Sequence, residues 1–402
     1  MRRLTGSIRD YAWGTTDVIP HILGTPATGE PQAEYWLGAH PLDPSDADGT
    51  PLDQVIESSP QIVGQASLHL FGPRLPYLMK ILSAASALSL QVHPSRAQAE
   101  EGFERENDAG IPVDAPERSY RDNWPKPEIL VALDEFAALS GFRDPLITYD
   151  LFNSLNVSGD LASVIGPLRF RSGAAGLAEV FLECLTSKDS LSGIVSEVVA
   201  AALHHTEEPG EFGDFCRTAV LLDSQHPADP AILAALLMNQ VTLKPWEAIF
   251  QPAGLMHAYL HGTGIEVLAN SDNVIRGGLT SKLIDVDELV RIVDFSSAPV
   301  NVMVADQTAP GVFHYPACTD EFDVWRFDLS HVDTCEIPRP DAGRIILVID
   351  GEMTLTSSCT TGSGSTMTLT KGESAFLDAG LQVEGTGTAV ATMSASGAYA
   401  KA

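Results

Sequence analysis

Cysteine and lysine are scarce in this chain of 402 residues, and no apolar run approaches the roughly 18 residues that a membrane helix requires. Cys184, Cys216, Cys318, Cys335 and Cys359 have no CxxC spacing, which argues against a thiolate zinc site and against a disulfide framework. Met1-Arg2-Arg3 has no apolar stretch behind it, so a cytoplasmic location is expected. Positive charge is also short, with 24 Lys and Arg against 53 Asp and Glu, a formal net charge of −29. Such a field repels polyanions and excludes nucleic acid and anionic membrane surfaces as natural partners. An anionic small molecule could bind only where a few cations are gathered locally, inside the screening distance of about 8–10 Å. Lys80, Lys126, Lys244 and Lys282 all fall in the segments richest in polar motifs.

A hydrophobic content of 44% over this length is enough for two or three compact domains. From Arg9 to about Gly141, short apolar runs such as Pro76-Tyr77-Leu78-Met79-Lys80 and Leu88-Ser89-Leu90-Gln91-Val92-His93 alternate with Gly, Pro and Asp turns, the grammar of strands. Between Asp144 and about Gln240 the period becomes helical, as in Ile194-Val195-Ser196-Glu197-Val198-Val199. Strand patterns resume at Val241, with one helix expected over 286–293 behind Asp285. The Ser/Thr/Gly-rich stretch 354–366 reads as a strand running into a turn.

An internal repeat aligns residues 247–257 with residues 373–383, pairing Gly254 with Gly380 and His257 with Val383. In cupin-like sequences the residue three places after this glycine faces the barrel interior. One metal site is therefore expected per chain, in the first module. Gln91 and His93 are two apart in a strand and share a face. Glu128 follows Pro125 and Pro127 and opens an apolar strand, and His257 follows Pro252-Ala253-Gly254. Each alone reads as an ordinary hydrogen-bonded core residue. Together they offer two imidazoles, a carboxylate and an amide oxygen, a set that suits Zn²⁺ without thiolates. The segment 264–282 gathers Glu266, Asp272, Arg276 and Lys282 around a glycine pair, Gly277-Gly278, that would let a small anion approach the backbone.

With Tyr11-Ala12-Trp13-Gly14, Glu34-Tyr35-Trp36-Leu37-Gly38-Ala39-His40-Pro41, Gln91-Val92-His93-Pro94, Lys126-Pro127-Glu128, Pro252-Ala253-Gly254-Leu255-Met256-His257 and Ser271-Asp272-Asn273-Val274-Ile275-Arg276-Gly277-Gly278, the chain resembles type I mannose-6-phosphate isomerases over nearly its whole length. The resemblance implies a mainly β protein with a helical insert: two cupin-type jelly-roll barrels plus an α-helical domain. The expected division is residues 1–143 and 241–300 for the catalytic barrel, 144–240 for the helical insert and 301–402 for a C-terminal barrel without metal ligands. It also implies one Zn²⁺ held by Gln91, His93, Glu128 and His257, with Arg276 as an active-site arginine. One departure is Pro125, where the family usually carries histidine.

The implied reaction interconverts mannose 6-phosphate and fructose 6-phosphate through a cis-enediol. Glu266 or another carboxylate near the metal would be the base, with Lys126 and Asp272 as further candidates for proton transfer. Ser89, Lys80 and Lys282 are candidates for binding the sugar phosphate by their hydroxyl and ammonium groups. A monomer or weak homo-oligomer is expected. The alternatives are an isomerase of another hexose phosphate or a non-catalytic sugar-binding cupin.

Overall fold

The structure is a computed structural model that describes residues 1–157, 159–171, 173–358 and 364–397. Its organising element is the thirteen-residue strand His257–Ala269. The first part of this strand pairs with Leu90–Val92 and Phe136–Phe142. From Gly262 onward it pairs instead with Tyr77–Ala84 on one side and Glu128–Ala132 on the other. The change of partners is a corner. Gly262 has φ +119°, the register slips between Tyr259 and His261, and a Cβ at Gly262 would sit 2.7 Å from the Phe136 Cα. Only glycine takes that dihedral this close to another backbone. The bend folds an eleven-stranded sheet around Leu82, Leu130, Phe136 and Tyr259.

A second, nine-stranded sheet contains Asp323–Asp328, Arg344–Asp350, Ser374–Leu377 and Val390–Ala395. It also holds the first strand of the chain: Arg2–Thr5 pairs antiparallel with Ser374–Leu377. The hairpin Asp46–Ala47 and Thr50–Pro51 extends that same edge. These parts of residues 1–143 therefore lie on the C-terminal sheet. The reason is burial, since Leu4 and Ala47 join Phe376, Ile345 and Leu347 in a core that reaches Ile81, Val131 and Ile265 of the other sheet. Glu352–Ser358 and Thr366–Thr370 belong to a separate four-stranded sheet. Residues 359–363 of the Ser/Thr/Gly-rich stretch, with Cys359, lie outside the described residues. Gly254 and Gly380, equivalent in the internal repeat, have φ of +81° and +89°.

Helices run from Pro145–Ser154 to Ala231–Leu236. The first is capped by Asp144, whose carboxylate accepts from the Leu146 and Ile147 amides, with Pro145 at the first helical position. Phe152, Phe181 and Phe215 fill a core that extends to Val92, Met256, Ile275 and Leu279, so the helical layer backs the strands on which the polar motifs sit. The expected helix over 286–293 is Val286–Ile292, with Asp285 accepting from the Glu288 amide.

The strand reading of residues 9–141 needs correction: Val18–Leu23, Leu52–Ser58, Gln65–Phe71 and Arg96–Asp108 are helical. Arg96–Asp108 opens with a reciprocal capping box between Ser95 and Gln98, which satisfies amides that a strand would have paired laterally. Among the described residues no helix is long and apolar enough to cross a membrane.

Candidate functional site

Four strands lay Arg276, Gln91, His257 and Ser140 in one cross-strand row, because Gln91 is registered opposite both Arg276 and His257, and His257 is also registered opposite Ser140. Directly opposed residues share a face of the sheet. His93 follows the end of its strand, tied down where its carbonyl accepts from the Gly254 amide. Glu128 opens its own strand opposite Leu268 and Gln251. His93, Glu128 and His257 thus converge, buried, with donor atoms within 4.8 Å of one another.

The ring orientations decide what this cluster can hold. His93 Nδ1 lies 2.8 Å from the Asn273 carbonyl, and His257 Nδ1 lies 3.0 Å from the Leu255 carbonyl. A carbonyl only accepts, so each ring carries its proton on Nδ1 and turns the Nε2 lone pair inward. Both Nε2 atoms face the Glu128 carboxylate at 3.4 Å. Burial, reinforced by nearby Lys126, pushes His93 down to about 4, which keeps the imidazole neutral. Burial would raise Glu128, but Lys126, His93 and His257 outweigh it and hold the carboxylate well below its usual range. The Lys126 ammonium lies 2.9 Å from Glu128 Oε1. His93 Nε2 is buried without a hydrogen-bond partner, an arrangement that is costly unless something electropositive meets the lone pair. Two such nitrogens around one carboxylate fit a zinc ion. Gln91 donates through Nε2 to Ser89 Oγ at 3.3 Å, which leaves the Gln91 amide oxygen and the Ser89 O–H available.

Lys80 lies between two acidic side chains. Its ammonium is buried between Glu266 Oε2 at 3.0 Å and Glu34 Oε1 at 3.3 Å, and the Trp36 indole donates to Glu34 Oε2 at 2.7 Å. Burial alone would lower Lys80, yet Glu266, Glu34 and Glu128 together raise it, so it stays charged. Glu266 is raised by burial and by Glu128 and Glu34, against the pull of Lys80. Lys80, expected as a substrate-binding cation, answers two buried carboxylates. Glu34 and Trp36, quoted above only as part of a motif, are its partners.

The turn around Asp272 is cross-braced. Ser271 Oγ donates to Asp122 Oδ1, the Asp272 amide donates to Asp122 Oδ2, and Asn273 Nδ2 donates to the Trp124 carbonyl. The Arg121 amide in turn donates to Asn273 Oδ1. Arg276 is lowered by burial and by Arg121, and Lys282 by Arg276, then burial, then Arg121. These three cations repel one another, and among the described residues none has an ion-pair partner. In so acidic a chain, an unneutralised cluster of this kind is a local exception to the negative field. Arg121 and Asp122 escaped the sequence reading, although Arg121 lies only five residues before Lys126, and Asn273 entered it only as part of a motif.

Comparison with known proteins agrees with this geometry. The profile for "Phosphomannose isomerase type I, catalytic domain" matches residues 1–145. The mannose-6-phosphate isomerase of Escherichia coli is 35% identical over 387 residues, 94% of this chain and 95% of that one. The rat enzyme of the same name is 30% identical over 86% of each chain. A crystal structure of a point mutant of Salmonella typhimurium phosphomannose isomerase superposes with a TM-score of 0.88 at 31% identity, covering 98% of this chain and 99% of that one. A mannose 6-phosphate isomerase solved with zinc and yttrium gives a TM-score of 0.85 at 32% identity, with the same coverage. The chain belongs to the type I mannose-6-phosphate isomerase family.

Proposed function

We propose that this isomerase interconverts mannose 6-phosphate and fructose 6-phosphate through a cis-enediol, using one Zn²⁺ held by Gln91, His93, Glu128 and His257 in the first of two cupin-type jelly-roll barrels. The observation that carries the reading is the pair of inward Nε2 lone pairs facing the buried Glu128 carboxylate, with His257 in the same cross-strand row as Arg276. When bound, zinc supplies Lewis acidity toward the substrate carbonyl oxygen.

The remaining work falls to the chain's own groups. Arg276 and Lys282, joined by Arg121, bind the phosphate, since they are the uncompensated cations beside the row. Lys126 holds Glu128 in place and offers a proton toward the reacting oxygens. Asp272 is the carboxylate that moves the proton between C1 and C2: its side chain is 32% exposed, whereas Glu266 is sealed against Lys80. Glu266, Lys80 and Glu34 form a buried charge array beneath the site that fixes its floor.

The test is a coupled assay of fructose 6-phosphate formed from mannose 6-phosphate, with glucose 6-phosphate as the comparison. Turnover of the mannose epimer is expected. Turnover of the glucose epimer alone would overturn the substrate assignment.

A further inference from the structure

His40 stands in none of the roles assigned so far, yet its surroundings are built as specifically as those of His93. The ring is 4% exposed and packs edge-on against Trp36, with centroids 4.9 Å apart. The Leu42 amide donates to its Nδ1 at 3.2 Å. An Nδ1 that accepts leaves the proton on Nε2, and Nε2 lies 3.4 Å from Asp272 Oδ1. The ring cannot turn away without losing both the amide and the indole, and Trp36 is itself anchored through Glu34 to Lys80.

We propose that His40 is a positioning residue of the isomerisation: its Nε2–H aims the Asp272 carboxylate at the substrate and keeps it there through turnover. Asp272 takes the proton from one sugar carbon and returns it to the neighbouring carbon, and His40 keeps its own proton throughout. The inference rests on the reading of Asp272 as the group that moves the proton. The second support of Asp272 is the backbone bond from its amide to Asp122, which fixes the residue but leaves the carboxylate free to rotate. His40 is therefore the contact that selects the rotamer. The charged and titratable groups that face Asp272 are His40, Lys126, Arg121 and Tyr11, from four different segments of the chain. Burial works to raise Asp272, while His40, Lys126 and Arg121 more than offset it and hold the carboxyl below the ordinary range.

The experiment compares His40→Leu, His40→Gln and Asp272→Asn as zinc-loaded enzymes. His40→Leu is expected to lose on the order of 10- to 100-fold in kcat, as loss of an orienting partner commonly does. Its KM should hold, and the acid limb of its kcat profile should move to higher pH because the donor that favours the carboxylate is gone. The glutamine amide reaches the same place, so His40→Gln should recover most of kcat and the original limb. In the combined His40→Leu/Asp272→Asn protein the loss should be no greater than in Asp272→Asn alone. An unimpaired Asp272→Asn would overturn the base assignment itself. An impaired Asp272→Asn beside an unimpaired His40→Leu would overturn only the role of His40. A second readout needs no His40 variant: imidazole ¹⁵N shifts of the parent should report the Nε2–H tautomer at neutral pH and a displaced Nε2 signal in Asp272→Asn. An Nδ1–H tautomer would overturn the proposal even if every His40 variant failed to fold.

Discussion

The Asn273 carbonyl accepts from His93 Nδ1 at 2.8 Å, so the residue after Asp272 sets the tautomer of an imidazole that faces Glu128. The same Asn273 side chain receives the Arg121 amide and donates to the Trp124 carbonyl, in a position without solvent exposure. One short turn therefore holds the imidazole of the proposed metal site and the carboxylate proposed for proton transfer in register.

Asn273→Ala removes the side-chain brace of this turn and keeps the main-chain carbonyl that meets His93. Removing the brace strands buried main-chain groups, at about 1–3 kcal/mol of stability. Zinc affinity should change by less than about 10-fold, because the main-chain carbonyl that orients His93 survives and only its turn is loosened. Urea unfolding and competition with a chromophoric chelator measure the two effects, and unchanged stability would contradict the bracing role of the side chain.

Lys80→Met leaves Glu34 and Glu266 buried without their cation. Breaking a buried ion pair from one side costs about 3–5 kcal/mol. The raised Lys80 contributes stability fully below the ordinary ammonium pKa, about 10.4, and loses it only as pH rises through its higher folded value. At neutral pH the whole difference should therefore appear. It should narrow as pH falls, because the stranded carboxylates, with Glu266 already raised, neutralise by taking up protons. Urea titrations at several pH values test both statements.

Lys282→Ala and Arg121→Ala should each weaken phosphate recognition. A charge-assisted hydrogen bond contributes about 1.5–3 kcal/mol, which corresponds to roughly 10- to 100-fold in kcat/KM. The loss should fall mainly on KM, and inorganic phosphate should become a poorer competitive inhibitor in step. A fall in kcat alone would move these residues out of the anion site.

Gly262→Ala tests the corner that brings the two halves of the long strand together. The positive φ costs about 1–3 kcal/mol for a residue with a Cβ, and contact with the Phe136 backbone adds a steric cost of similar size. A thermal unfolding scan should show the drop, and an unchanged midpoint would contradict the strain.

The candidate donors stood out in the sequence because each carries a local signal: alternation for Gln91 and His93, two prolines before Glu128, a turn glycine before His257. Their convergence could not be read from composition, since it depends on the register of His257–Ala269 against four other strands. The surroundings of Lys80 were hidden for a related reason: a scarce lysine in a motif looks free, and nothing in the sequence sets Glu34 and Glu266 beside it. Asn273 contributes a main-chain oxygen to His93, and a backbone atom leaves no mark in residue identity. Arg2–Thr5 joins a strand some 370 residues away, where the single inward Leu4 gives no hint of its partner.

The central claim is that the cluster of Gln91, His93, Glu128 and His257 works as a zinc site, and its most direct test is removal and return of the metal. Protein stripped with a chelator should lose fructose 6-phosphate formation from mannose 6-phosphate. Titration with Zn²⁺ should restore it in proportion to binding, saturating at one ion per chain, and a His257→Ala protein should neither bind that ion tightly nor recover. Full activity in the metal-free protein, or tight zinc binding and normal turnover by His257→Ala, would contradict the account.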